Sequence, residues 1–143
     1  SFDKSIHQNK HLKKLKENVI FKDYMSKDLL DKNLLTAKVL ILCDINRPDG
    51  GNIIPGKFFH YLSYKIPIIT FSSKNSDTSN IVNETKCGNV FDFSNEIDLK
   101  NHILELYSNF KNGTFLVKPI EIEKYKYSSL TFKLDSLIIK TID

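Results

Sequence analysis

Long apolar runs are missing from this chain. None approaches the ~20 residues that a membrane-spanning helix needs, and no secretory signal pattern is visible. There are only two cysteines, Cys43 and Cys87. They make no disulfide framework and fit a reducing compartment. With His7, His11 and His102 they show no metal-ligand spacing, so no metal site is expected. Arginine occurs once, at Arg47. Without an arginine-rich stripe, an RNP-like aromatic strand or a recognition-helix signature, no nucleic-acid partner is expected. Neither a P-loop nor a GxGxxG fingerprint is present. No nucleophile is paired with a base, and no two carboxylates have a defined catalytic spacing.

What is present describes a folded chain. Its 143 residues suffice for one domain with a core but not comfortably two. Hydrophobic residues make up 41% and charged residues 27%, outside the range of disordered sequences. The net charge of +4 comes from scattered lysines, which fits a mildly basic cytoplasmic protein better than one with a concentrated basic patch. The chain begins Ser-Phe-Asp rather than with Met, and is expected to be a piece of a longer protein.

Hydrophobic periodicity gives alternating elements. Residues 6–16 form a weak amphipathic helix. Val19-Ile20-Phe21 read as a short strand. Ser26 caps a helix from Lys27 to about Ala37, with Leu29, Leu30, Leu34 and Leu35 near one face. Lys38 to Cys43 is nearly all apolar, as in a parallel strand covered on both faces. Pro55 suits the first position of a helix carrying Phe58, Phe59 and Leu62. Ile66–Phe71 is the next strand. Asp77 or Thr78 caps a short helix to about Glu84, Gly88 ends its turn, and Asn89–Phe93 form another strand. Ser94 caps a helix ending near Asn112-Gly113. Thr114 to Ile122 is irregular, and the end of the chain, within 124–143, is helical through Leu130, Leu134, Leu137, Ile138 and Ile142. Four strand–helix alternations predict an α/β fold with a Rossmann-like, doubly wound, mostly parallel sheet. Its ligand crevice lies beyond the carboxyl ends of the strands.

The loop 44–54 and the helix start after it would face that crevice. Gly50-Gly51 allow close backbone approach. Pro55-Gly56-Lys57 add backbone N–H groups and an ammonium, which together favour a phosphate or diphosphate. An ordinary flexible loop and helix start explains the same residues, and both readings stand on them alone. Arg47 is either a phosphate-binding fork or a solvated loop charge. Asp44 is a polar crevice residue or a turn former. His60 is a sugar-hydroxyl contact or an unremarkable surface histidine, and Ser72-Ser73 start another crevice loop.

The segment Asn52-x-x-Pro55-Gly56-Lys57-Phe58-Phe59-His60-Tyr61-Leu62-Ser63-Tyr64-Lys65-Ile66-Pro67-Ile68-Ile69 resembles the signature "P-S/G-K-hydrophobic-x-E-Y-L-A-x-G-x-P-hydrophobic". That signature belongs to GT-B glycosyltransferases, more narrowly to the donor-binding C-terminal domain of the family 4, or group 1, type. Asn18–Phe21 with Ser26, Ala37–Cys43, and Ile81-Val82-Asn83-Glu84 to Gly88-Asn89-Val90-Phe91 resemble further stretches of that domain in the same order. The resemblance covers most of the chain but only the later part of the family's domain.

It implies a retaining enzyme of bacterial surface-polysaccharide assembly, moving a hexose-type sugar from a UDP- or GDP-linked donor to a saccharide or lipid-linked acceptor. No cofactor or metal is implied. Asn52, Ile54, Pro55, Gly56, Lys57 and His60 would hold the diphosphate and ribose, and Tyr24 would lie near the base. Arg47 remains the candidate phosphate fork, and the resemblance names no catalytic residue. Residues 1–143 would be one nucleotide-sugar-binding domain, incomplete at its N-terminus. The acceptor would sit on an N-terminal domain preceding Ser1, together with the domain's first two strands. This chain alone would then be inactive. The complete protein would be cytoplasmic, with peripheral association at the inner face of the membrane. Two positions depart from the family: Asn52 and His60 stand where many members carry glutamates. A neutral histidine cannot accept from two ribose hydroxyls as a carboxylate does. The alternative implied is a non-catalytic sugar-nucleotide-binding or assembly module.

Overall fold

The computed structural model describes residues 18–44, 53–115 and 117–142. The expected helix over 6–16 and the glycine loop at 45–52 lie outside the described residues. Backbone contacts divide the chain between Asn33 and Leu34 into two compact units.

In the first unit, residues 18–26 are irregular and lead into α1 (Lys27–Thr36), which continues across the division. Ser26 accepts the first helical bond, from the Leu30 N–H to its carbonyl (3.0 Å). Asn33 ties the unit together, donating to the Leu29 carbonyl (2.7 Å) and accepting from Lys22. The strand expected at Val19–Phe21 does not form. A β-strand needs a neighbouring strand to complete its hydrogen bonds, and this segment is not one of the strands of the described sheet; Ile20 is 83% exposed.

The second unit is built on three parallel strands in the order β1 (Leu40–Cys43), β2 (Ile68–Phe71), β3 (Gly88–Phe91). Two helices make the crossovers: α2 (Lys57–Ser63) and α3 (Asp77–Thr85). The sequence then continues as α4 (Glu96–Lys111), a 3₁₀ turn (Ile122–Tyr125) and α5 (Tyr127–Ile142). The α/β class and the parallel sheet are therefore as expected, with shorter strands. The described strands run 1-2-3 without a reversal of order.

Alternation along the strands sets two faces. Leu40 and Leu42 of β1 and Ile68 of β2 join Phe58 and Leu62 of α2 and Ile81 and Val82 of α3 in one buried cluster. Both crossover helices thus lie on one face, as crossovers of a single hand require when strand order advances steadily. On the other face α4 touches β3 where His102 meets Phe91, with ring centroids 5.3 Å apart. Ile69 is buried there, but Ile41 of β1 is 57% exposed. The expectation that the first strand is covered on both faces is thus corrected. β1 is an edge of the described sheet, two strands away from the Phe91–His102 contact.

Helix ends also differ in detail. Pro55 sits just outside α2, with its carbonyl accepting from the Phe58 N–H (2.8 Å), and Gly56 is the cap. Ser76 rather than Asp77 or Thr78 caps α3, and Asn95 rather than Ser94 caps α4. α3 ends on Lys86 in the left-handed conformation, while Gly88 opens β3 instead of ending the helix turn. α4 finishes at Asn112-Gly113 as expected.

After α4 the chain returns to the core. The Ile120 N–H bonds the Thr85 carbonyl at the end of α3 (2.8 Å). Ile122 and Tyr125 pack on the core cluster, and Tyr125 lies against Phe59 of α2 (centroids 5.9 Å). The Tyr125 hydroxyl donates to Glu84 (2.6 Å), and Lys124 pairs with the same carboxylate. Desolvation, then the bond to Glu84, push the Tyr125 hydroxyl up to about 12. The Lys124 and Tyr125 hydrogen bonds hold Glu84 below its ordinary value.

Two tests follow from the packing. A methyl at Gly88 would stand 1.8 Å from the Ile68 carbonyl oxygen, whereas one at Gly56 meets nothing within 4 Å. Gly88→Ala should lower stability by about 2 kcal/mol or more in urea melts, and Gly56→Ala by less than about 0.5 kcal/mol. The second test is a pH profile. Because Tyr125 holds its proton more tightly when folded, its contribution is complete below pH 10 and is lost as the pH climbs from 10 towards about 12. Glu84 acts oppositely, its contribution being lost as the pH falls below 4.5. Tyr125→Phe should flatten the alkaline limb of the urea midpoint, and Glu84→Gln the acid limb.

Candidate functional site at the carboxyl edge of the sheet

Parallel strands joined by helical crossovers bring their carboxyl ends, and the N-termini of the helices that follow, to one edge. Asp44, Ser72 and Asp92 stand directly after β1, β2 and β3. The Asp44 N–H bonds the Phe71 carbonyl (2.9 Å) and the Ser72 N–H bonds the Phe91 carbonyl (3.1 Å), so backbone pairing reaches this edge without fraying.

A chain of buried hydroxyls closes the edge. The Ser72 hydroxyl donates to the Asp44 carboxyl (2.8 Å) and lies 2.6 Å from the Ser76 hydroxyl. Ser76 Oγ donates to Ser79 Oγ (2.9 Å) and accepts from the Ser79 N–H (3.0 Å). Ser79 Oγ in turn donates to the Ser73 carbonyl (2.6 Å). All four side-chain partners, Asp44, Ser72, Ser76 and Ser79, are buried. Such a network ties the 72–76 loop to Asp44 and to the first turn of α3. Asp92 accepts from the Ser94 hydroxyl (2.7 Å) and N–H (3.0 Å), which hold its carboxyl below the ordinary value, with Lys74 a smaller contributor.

The residues expected to bind a donor distribute unevenly. Pro55, Gly56, Lys57 and His60 come together on the short helix α2 and its entry. Lys57 is exposed in its first turn; Ile54 is partly buried against the core. His60 is half-buried, its Nε2 lying 2.8 Å from the Tyr64 hydroxyl and its ring 5.1 Å from the tyrosine ring. Ser63 donates its hydroxyl to the His60 carbonyl (2.7 Å). Arg47 and Asn52 lie outside the described residues. Tyr24 belongs to the first unit, where its side chain is fully exposed (100%).

This edge combines the Lys57 and Lys74 ammonium groups with the carboxyls of Asp44 and Asp92. It offers the two ammonium groups to an anion and the exposed Asp92 carboxyl as an acceptor, while Asp44 and the serine hydroxyls are buried in their own network. Among the described residues no group of three metal-ligating side chains converges, and no helix is long and apolar enough to cross a membrane. A shallow cavity of about 230 Å³ is lined by Glu96, Leu99, Lys100, Ile103 and Leu104 of α4 alone. A groove on one helix cannot enclose a ligand as concave sites do.

Sequence reasoning placed Asp44 and Ser72 at the crevice but missed Ser76 and Ser79. The signal for Ser76 was present: a serine directly before an acidic first-turn residue, Asp77, is a helix cap. Ser76→Ala removes that cap and leaves the Ser72 and Ser79 hydroxyls short of a partner. It should cost about 2 kcal/mol in urea unfolding, the upper end for a cap. Compared with models of protein families, with curated proteins and with solved structures, the chain finds no match.

Proposed function

We propose that the chain is the donor-binding part of a nucleotide-sugar-dependent glycosyltransferase of the GT-B type, its sheet being part of a doubly wound domain. The observation that supports this reading most is the position of the Pro55–His60 segment. It is the first crossover helix of a parallel sheet, entering from the carboxyl edge where such folds take their ligands.

In this reading the Lys57 ammonium and the backbone at Gly56 neutralise the donor's diphosphate. That charge grows as the sugar leaves, so the same contacts stabilise the departing group. His60 bonds a ribose hydroxyl, with Tyr64 holding its ring in place. The buried Asp44–Ser72–Ser76–Ser79 chain keeps the neighbouring loop rigid, which preserves the spacing of the contacts. A hexose-type sugar is transferred to a saccharide or lipid-linked acceptor held by a separate domain. The complete protein is then a cytoplasmic enzyme of bacterial polysaccharide assembly, peripheral to the membrane, and this chain alone binds donor without turning it over.

A second reading rests on His60 itself. A histidine already engaged by Tyr64, standing where a carboxylate is usual, suits a module that binds sugar nucleotides without transferring them. Calorimetric titration of the chain with UDP- and GDP-linked hexoses tests both. Binding to one of them should weaken about tenfold or more in Lys57→Ala, the loss of one charge-assisted contact. Absence of binding to either nucleotide class would remove both readings. Turnover by the complete protein would select the enzyme, and binding without turnover the module.

A further inference from the structure

Asn112-Gly113 is the chain's single Asn-Gly pair, and it stands at the end of α4. Both residues are exposed. Gly113 has φ 70°, the left-handed conformation that closes a helix and that glycine adopts without a Cβ penalty. The same lack of a Cβ leaves the Gly113 nitrogen unshielded next to the Asn112 side-chain amide. Attack of that nitrogen on the amide carbon closes a five-membered ring, an intramolecular step at high effective concentration.

The folded geometry holds the pair back. Asn112 has ψ 1°, which eclipses the Gly113 nitrogen with the Asn112 nitrogen and turns it away from the side chain. The Asn112 N–H is bonded to the Ser108 carbonyl (3.0 Å), the Gly113 N–H to the Phe110 carbonyl (3.2 Å) and the Thr114 N–H to the Asn109 carbonyl (3.0 Å). All of these bonds close the last turn of α4, and a terminal turn opens at little cost in free energy. Once it opens, the Asn112 ψ is released and the nitrogen can swing to the amide carbon.

We propose that Asn112 is a site of spontaneous deamidation, gated by opening of the last turn of α4. The Gly113 nitrogen attacks Asn112 Cγ. The new N–C bond closes a succinimide, the Cγ–Nδ2 bond breaks, and ammonia leaves with the Gly113 proton. Water then opens the ring, giving aspartate where it attacks Cγ and isoaspartate where it attacks the backbone carbonyl. Either product places a carboxylate at the negative end of a 16-residue helix, where a like charge is unfavourable. Isoaspartate also lengthens the backbone by one carbon, which disturbs the Gly113–Phe110 and Thr114–Asn109 bonds. The modified helix end therefore stays open for more of the time. This site lies on a different element from Lys57 and His60, so it is independent of the sugar-nucleotide reading.

The test keeps the whole chain in mildly alkaline buffer at body temperature and follows it by peptide mapping with mass spectrometry. The peptide that holds Asn112 should gain one dalton before any other asparagine reacts, and its fragment ions should show both aspartate and isoaspartate at that position. The native chain should react more slowly than the chain in urea, by about the factor that protects the Gly113 amide from hydrogen exchange, because one opening governs both. In urea, where folding plays no part, Gly113→Ala should slow the reaction by about tenfold or more, since a methyl shields the nitrogen. Modified chain should exchange the amides of residues 110–114 faster than fresh chain. The proposal is overturned if the native chain reacts as fast as the unfolded one, if another asparagine reacts first, or if Asn112 stays intact beyond the time that the protection factor sets. Equal exchange before and after modification would contradict the effect on the helix end.

Discussion

β3 can pair with β2 only because Gly88 has no side chain. The Ile68 carbonyl occupies the place where a Cβ would stand. This one close approach fixes the register of β3, and with it the central position of β2. From there the rest of the unit follows. β2 lies between two strands and is covered on both faces: Ile68, Ile69 and Thr70 are all buried despite pointing alternately to opposite faces. The pairing of β1 with β2, Cys43 opposite Phe71, carries Asp44 and Ser72 to the same height at the carboxyl edge, where the buried hydroxyl chain forms.

Much of this was legible in the sequence because its signals are local. The runs at 38–43 and 66–71 read as parallel strands on composition alone, and the helix from Glu96 to Lys111 on periodicity and its Asn112-Gly113 stop. Other features depend on what packs where. Val19-Ile20-Phe21 has strand composition but is irregular and not part of the described sheet, because composition does not supply a neighbouring strand. The first strand has the apolar content of a doubly covered strand, yet Ile41 remains exposed because β1 lies at an edge of the described sheet. The tie between Glu84, Lys124 and Tyr125 spans some forty residues of sequence and has no local signal at all.

The candidate site divides in the same way. Residues that one helix brings together, Pro55 to His60, stood as a helix start and a surface histidine on their own, and were joined as one candidate set only by the resemblance that their segment carries. Residues joined by tertiary pairing were found in part, Asp44 and Ser72 by position and Ser76 and Ser79 not at all. The structure also adds Tyr64 as the hydrogen-bonding neighbour of His60, one helical turn away, a pairing consistent with a histidine held in place rather than free in solvent. That contact gives the ring a fixed orientation.

The central claim is that the carboxyl edge of this sheet receives a sugar nucleotide. Backbone amide shifts recorded during titration with UDP- and GDP-linked hexoses test it most directly. The account expects shifts confined to residues 53–60 and 72–77, with the amino ends of the strands near Val39 and Cys87 undisturbed. No shifts with either nucleotide class, or shifts centred on the α4 groove around Leu99 and Ile103, would contradict it.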